Sequence, residues 1–202
     1  MSVLTLNLAT RPDPPADRLA DEQLVRKLRA GDAAAGKALV ERYGEPLMRY
    51  LHRLTGAQHV AEELHQQTWL SVLQHLDRFD EQQGRADGSA GGGFKSWLYR
   101  IATNKANDLW RGRGREAVAK AGLRLVTDDA APDAGHRVEG DEQAEKLRRA
   151  IEQLPEPQKQ VVMMRYYANL KFHEIAEIVG CPLNTALGRM HKAMQKLKAA
   201  ME

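Results

Sequence analysis

KFHEIAEIVGCPLNTALGRMHKAMQKLK (171–198) holds two amphipathic periods joined by Gly180-Cys181-Pro182. The first places Ile175, Ala176 and Val179 on one side of a short helix. The second begins near Leu183, with Asn184 or Thr185 at its start, and offers Leu187, Met190, Met194 and Leu197 for packing. Small Ala176 lets the two helices cross closely, and Gly180 takes a turn conformation that a side chain would resist. Arg189, His191, Lys192, Lys196 and Lys198 stand away from much of the apolar stripe. The pattern predicts a helix-turn-helix whose second helix can lie in a major groove. An ordinary helical hairpin with a solvated basic face is the competing reading.

Upstream of this pair, a helix around 141–153 and another carrying Val161, Val162 and Met164 complete a small domain. Pro155 and Pro157 suit the first turn of the latter. Before it, REAVAKAGLRLVTDDAAPDAGHRVEG (115–140) has scattered glycines, Pro132 and no sustained helical period beyond a short helix near 115–122, which predicts a linker. Residues 116–140 are net acidic between two net basic segments, an asymmetry that permits nucleic-acid contact without requiring it.

Residues 21–115 predict a second, larger run of helices. Asp21 is placed to cap the first and Gly31 to end it; Asp32 caps the next, which Gly44 and Pro46 are expected to break. A helix over 59–76 lines up Val60, Leu64, Trp69, Val72 and Leu76, leaving Glu62, Glu63, Gln66, Gln67 and Gln74 opposite. After the glycine-rich loop 81–93, a helix from Phe94 to about Arg111 buries Phe94, Trp97, Leu98, Ile101 and Leu109. Residues 1–20, with three prolines, form a loose tail.

Composition narrows the function. Of 202 residues only 5% are aromatic, thin for a β-sandwich, and no run of apolar residues is long enough to span a bilayer. The N-terminus lacks a basic lead and an unbroken apolar core, so a secretory signal is not expected and a cytoplasmic location is. The single Cys181 excludes a disulfide framework and a cysteine-built zinc site. No Walker loop is present, Gly91-Gly92-Gly93 follows no strand, and the histidines lack metal-ligand spacing; no catalytic residue, metal or cofactor is expected. In 94–115, Lys95, Arg100, Lys105, Arg111, Arg113 and Arg115 face only Asp108, with Tyr99, Asn104, Asn107 and Trp110 interleaved. Such a mixture can hold phosphates and stack on unpaired bases, or can be a solvated face.

Three stretches together resemble the extracytoplasmic-function sigma factors, bacterial initiation factors of RNA polymerase in the sigma-70 family. VAEELHQQTWLSVLQHLDRFD (60–80) is similar to the family's main polymerase-binding helix, FKSWLYRIATNKANDLWRGRGR (94–115) to its promoter-melting and minus-ten-reading segment, and 154–198 to its minus-thirty-five-reading domain. The resemblance implies an all-α chain of two helical domains, with a tail at 1–20, sigma region 2 at 21–115, a flexible linker at 116–140 and sigma region 4 at 141–202. It implies that Glu62, Glu63, Gln66 and Gln67 grip the clamp coiled coil of the polymerase. It assigns Asn104, Lys105, Asp108 and Arg111, with the basic tail Arg113 and Arg115, to the non-template strand, and the loop before them to a flipped-out base. It assigns Thr185, Leu187, Gly188, Arg189, His191 and Lys192 to the minus-thirty-five groove. Core RNA polymerase and promoter DNA are the implied partners, and family members are commonly held by anti-sigma factors. The chain departs from the family pattern at Gln67, where an acidic residue is usual, and at Leu187 and Gly188, where a basic residue and a serine are usual. Lys171 replaces a capping serine, with Asn169 as the candidate substitute, and loop 81–93 is unusually long. A free-standing helix-turn-helix regulator that binds an operator without polymerase is the alternative.

Overall fold

A computed structural model describes residues 20–79, 93–122 and 142–202, and the backbone alone for the end of the long helix beyond Gly112. Among the described residues every regular element is helical: α1 (Asp21–Arg29), α2 (Ala33–Thr55), α3 (Gln58–Gln74), a 3₁₀ turn (Leu76–Arg78), α4 (Phe94–Gly122), α5 (Glu142–Glu152), α6 (Glu156–Tyr166), α7 (Phe172–Val179) and α8 (Leu183–Met201). All but the last residue of the expected tail and of loop 81–93, and the linker beyond Gly122, lie outside the described residues.

Local signals set several ends as expected. Asp32 caps α2 by accepting from Ala34 N at 2.9 Å, and Gly31 takes a φ of +90° between α1 and α2. Others differ for physical reasons. Asp21 does not cap α1; its carboxylate is taken by Arg42 and Tyr43 of α2, and Gln23 turns back onto Ala20 N instead. Pro46 does not break α2. Leu39, Leu47, Tyr50, Leu51 and Leu54 fall on one buried stripe across the proline. Burying each is worth about 1.5–3 kcal/mol, and together they outweigh the roughly 3 kcal/mol cost of one proline in a helix. α4 runs to Gly122 rather than stopping near Arg111, because Glu116 to Lys120 are good helix formers. Asn169 is not a cap either. It adopts a left-handed φ of +48°, and Lys171 N donates to Glu174 Oε2 at 2.6 Å at the start of α7.

The first unit packs α1–α4 around Leu39, Leu51, Leu54, Leu64, Phe94 and Leu98. Tyr50 sits edge-on to Tyr99, with ring centroids 5.1 Å apart, and shares a 2.9 Å hydrogen bond with Thr103. The second unit packs α5, α6 and α7 on α8 around Val161, Met163, Met164, Leu170 and Ile175.

The two units also pack on each other, through α4 against α7 and α2 against α6. Ser96 Oγ, fully buried, donates to Glu174 Oε1 at 2.8 Å. Gln160 Nε2 donates to Asn107 Oδ1 at 2.6 Å, and Lys95 Nζ donates to Asn169 O at 3.1 Å. Arg100 and Glu177 form an exposed ion pair at 3.9 Å, and Arg53 lies over the Tyr167 ring.

Candidate functional site

Three helix faces carry the residues singled out by the sequence. On α3, Val60, Ala61, Leu64, Thr68 and Val72 turn inward, and this leaves Glu62, Glu63, Gln66 and Gln67 in solvent. Gln58 donates to Glu62 and Gln67 to Glu63, both one turn apart, so the amide groups brace the carboxylates along the helix. The same outer side carries Leu70 and Leu73, exposed by 56% and 58%. Sequence reasoning missed them. Their spacing from Glu63 and Gln66 was the available signal, since i, i+3, i+7 and i+10 share one side of a helix.

On α4, Asn104, Asp108 and Arg111 are exposed and Lys105 is half-buried. Arg111 pairs with Asp108 at 3.1 Å on the same helix. These residues border the stripe Ser96, Arg100 and Asn107, which α6 and α7 cover. Tyr99 is not available for stacking: it is buried against Tyr50, because its place on α4 faces α2. Trp110 is half-buried against the core. Arg113 and Arg115 lie on the helical backbone of α4, and their side chains fall outside the described residues.

The helix-turn-helix is present as α7, the Gly180 turn and α8. Gly180 has a φ of +65°, and Cys181 N returns to Ala176 O at 3.0 Å. Ala186, Met190, Ala193 and Leu197 bury the inner side of α8. Thr185, Leu187, His191 and Lys192 are exposed, and a side chain added at Gly188 would meet nothing within 4 Å. Arg189 is half-buried, with Nη1 3.8 Å from Cys181 Sγ, so it leans back along the turn instead of outward. His191 Nε2 is 3.0 Å from Gln195 Nε2 one turn on.

Where the units meet, His52 is held below the usual imidazole range, first by burial and then by the charges of Arg53 and Arg148. His65, whose Nε2 lies 3.1 Å from both Gly44 O and Trp69 Nε1, is lowered chiefly by burial. Among the described residues no cluster of three or more His, Cys, Asp or Glu could hold a metal, and no helix is long and apolar enough to cross a membrane.

Comparison with known proteins matches residues 39–116 to the family described as Sigma-70 region 2 and residues 144–197 to Sigma-70, region 4, together well over half the chain. The chain is 26% identical over 184 residues to the ECF RNA polymerase sigma factor SigW of Bacillus subtilis, covering 86% of this chain and 92% of the relative. It is 30% identical over 177 residues to SigE of Mycolicibacterium smegmatis, covering 83% of this chain and 63% of that one. Its fold is similar to that of the sigma factor RpoE of Bartonella quintana, solved in complex with the anti-sigma factor NepR, with a TM-score of 0.62 and 21% identity over 82% of this chain and 95% of the other.

Proposed function

The chain belongs to the extracytoplasmic-function sigma factors of the sigma-70 family, and on that premise we propose how its three exposed faces divide the work of initiation. As a sigma factor it joins core RNA polymerase and directs promoter recognition; polymerase performs the chemistry. The outer side of α3, with Glu62, Glu63, Gln66 and Gln67 and the neighbouring Leu70 and Leu73, docks on the polymerase clamp. Asn104, Lys105, Asp108 and Arg111 engage the melted strand, helped by Arg113 and Arg115. Thr185, Leu187, Gly188, His191 and Lys192 meet the upstream groove. Arg189, turned toward Cys181, contributes to the shape of the turn more than to reading. An operator-binding regulator working without polymerase would have no use for the α3 side.

The observation that carries this division is the α3 side: two large apolar residues and four carboxylate or amide residues stand in solvent on a helix whose inner stripe is fully used. A second reading follows from the covered stripe on α4. Ser96, Arg100 and Asn107 are occupied by α6 and α7, so the free chain holds its two DNA-binding units together, and binding to polymerase separates them. An anti-sigma partner would act by holding the units in that state, in the cytoplasm where polymerase is found. The test is reconstitution. The purified chain added to core polymerase should give promoter-specific transcripts that core alone does not, and the reading of α3 fails if Glu63→Lys with Gln66→Lys leaves core affinity unchanged in a folded chain.

A further inference from the structure

We propose that the first two turns of α8 read thymine by its methyl group, with Leu183 and Leu187 forming an apolar ledge against the 5-methyl groups of the upstream promoter element. The inference rests on the reading of α8 as the groove-binding helix. The N-terminal residues of such a helix are the ones that reach base edges. Here those residues are unusual in what they expose. Among the described residues six large apolar side chains are exposed, and two of them are Leu183 and Leu187, at 46% and 40%. They lie one turn apart on the same flank of α8, and the core takes neither, since Ala186, Met190, Ala193 and Leu197 already fill the inner side.

Three further features fit the same occupant. Helical spacing puts Asn184, Gly188 and His191 at the middle of the outer side, with the leucines on one flank and Thr185, Lys192 and Lys196 on the other. Gly188 leaves bare backbone there, so α8 can approach the groove floor closely enough for a leucine, shorter than arginine or lysine, to touch a base. Lys192 and Lys196 are exposed on the opposite flank, where the second groove wall offers phosphates. Arg189 leans on Cys181, so α8 presents no outward guanidinium in its first two turns for the bidentate contact that reads guanine. Thymine is the base that offers an apolar group in the major groove, and its methyl stands toward the edge of the groove, where a flank of the helix meets it.

The test uses holoenzyme assembled from the full chain and core RNA polymerase, run on duplex promoters with a randomised upstream element. The selected element is resynthesised with deoxyuridine for thymidine, which removes the methyl and keeps every hydrogen bond. At least one fixed thymine is expected, with binding lowered about fourfold for each contacted methyl removed. A Leu183→Ser/Leu187→Ser chain of equal helicity and core affinity should ignore the replacement. If that variant does not fold, the deoxyuridine comparison on the unsubstituted chain decides. Equal binding of thymine and uracil elements by the unsubstituted chain overturns the proposal and leaves upstream recognition by α8 standing. A holoenzyme that enriches no upstream sequence overturns the reading of α8 as well.

Discussion

Substituting Glu174 with alanine removes one carboxylate from two donors in different parts of the chain: Lys171 N at the start of its own helix and Ser96 Oγ on α4. The two losses separate cleanly. The α7 cap is needed whether or not the units touch, so its loss weakens α7 equally in the packed and separated states and cancels in the balance between them. The Ser96 bond exists only when the units pack, and Ser96 is then fully buried. A hydrogen bond to a charged group is worth about 1.5–3 kcal/mol. Glu174 keeps some solvent contact, so the lower end applies, and the packed-to-separated ratio should fall roughly tenfold. Ser96→Ala should cost less, because the carboxylate freed on its side can turn to water. Distance distributions between spin labels at Gln74 and Lys196, both exposed, in a Cys181→Ser chain measure the ratio directly. Glu174→Ala should populate a longer distance in the free chain, and core polymerase should lengthen the distance in every variant. An unchanged distribution for Glu174→Ala with α7 still helical would refute the argument, as would Ser96→Ala opening the chain more than Glu174→Ala.

Leu70→Ser with Leu73→Ser should weaken core binding in a titration without lowering thermal stability, since neither side chain serves the core; a fall in Tm with unchanged affinity would reverse that assignment. Lys192→Ala should reduce binding to all promoters alike and lower the salt slope by about one, whereas Arg189→Ala should change the slope little, as filter binding across a salt series would reveal. Tyr50→Phe should destabilise the first unit by about 1 kcal/mol in urea unfolding, because the buried Thr103 hydroxyl loses one of its two partners. His52 and His65 are both depressed in the folded chain, so the unfolded chain takes up protons first; the stability they contribute is complete above the usual imidazole range and is lost as pH falls through their folded values. Denaturation midpoints measured downward from pH 7 should therefore decline, and less so in a His52→Gln, His65→Gln chain. Glu156, raised chiefly by burial, acts in the opposite direction only lower, in the carboxylate range.

The sequence by itself determined the elements whose cause is local. The α7–α8 turn needs only Gly180 in a left-handed conformation between two amphipathic periods, and all of that is written in neighbouring residues. The α3 stripe is equally local, and its outer carboxylates and amides follow from the same period. Likeness in three segments, in order, then carried the family. What required the tertiary structure is each place where a distant partner outbid a local preference. Asp21 leaves its cap for Arg42 and Tyr43 some twenty positions on, and α2 passes through Pro46 because the stripe it buries against α3 and α4 is continuous. Tyr99 reads as a polar-face aromatic until α2 supplies Tyr50 beside it. Which side chains join the two units could not be read from the chain. Ser96 and Glu174 lie 78 positions apart, neither has a periodic signal, and only the fold makes one the acceptor of the other. The same holds for Arg189, basic and well placed by spacing, whose direction is set by Cys181 in the turn. Hydrophobic period is a property of consecutive residues, whereas the pairing of polar side chains is decided by which helices meet.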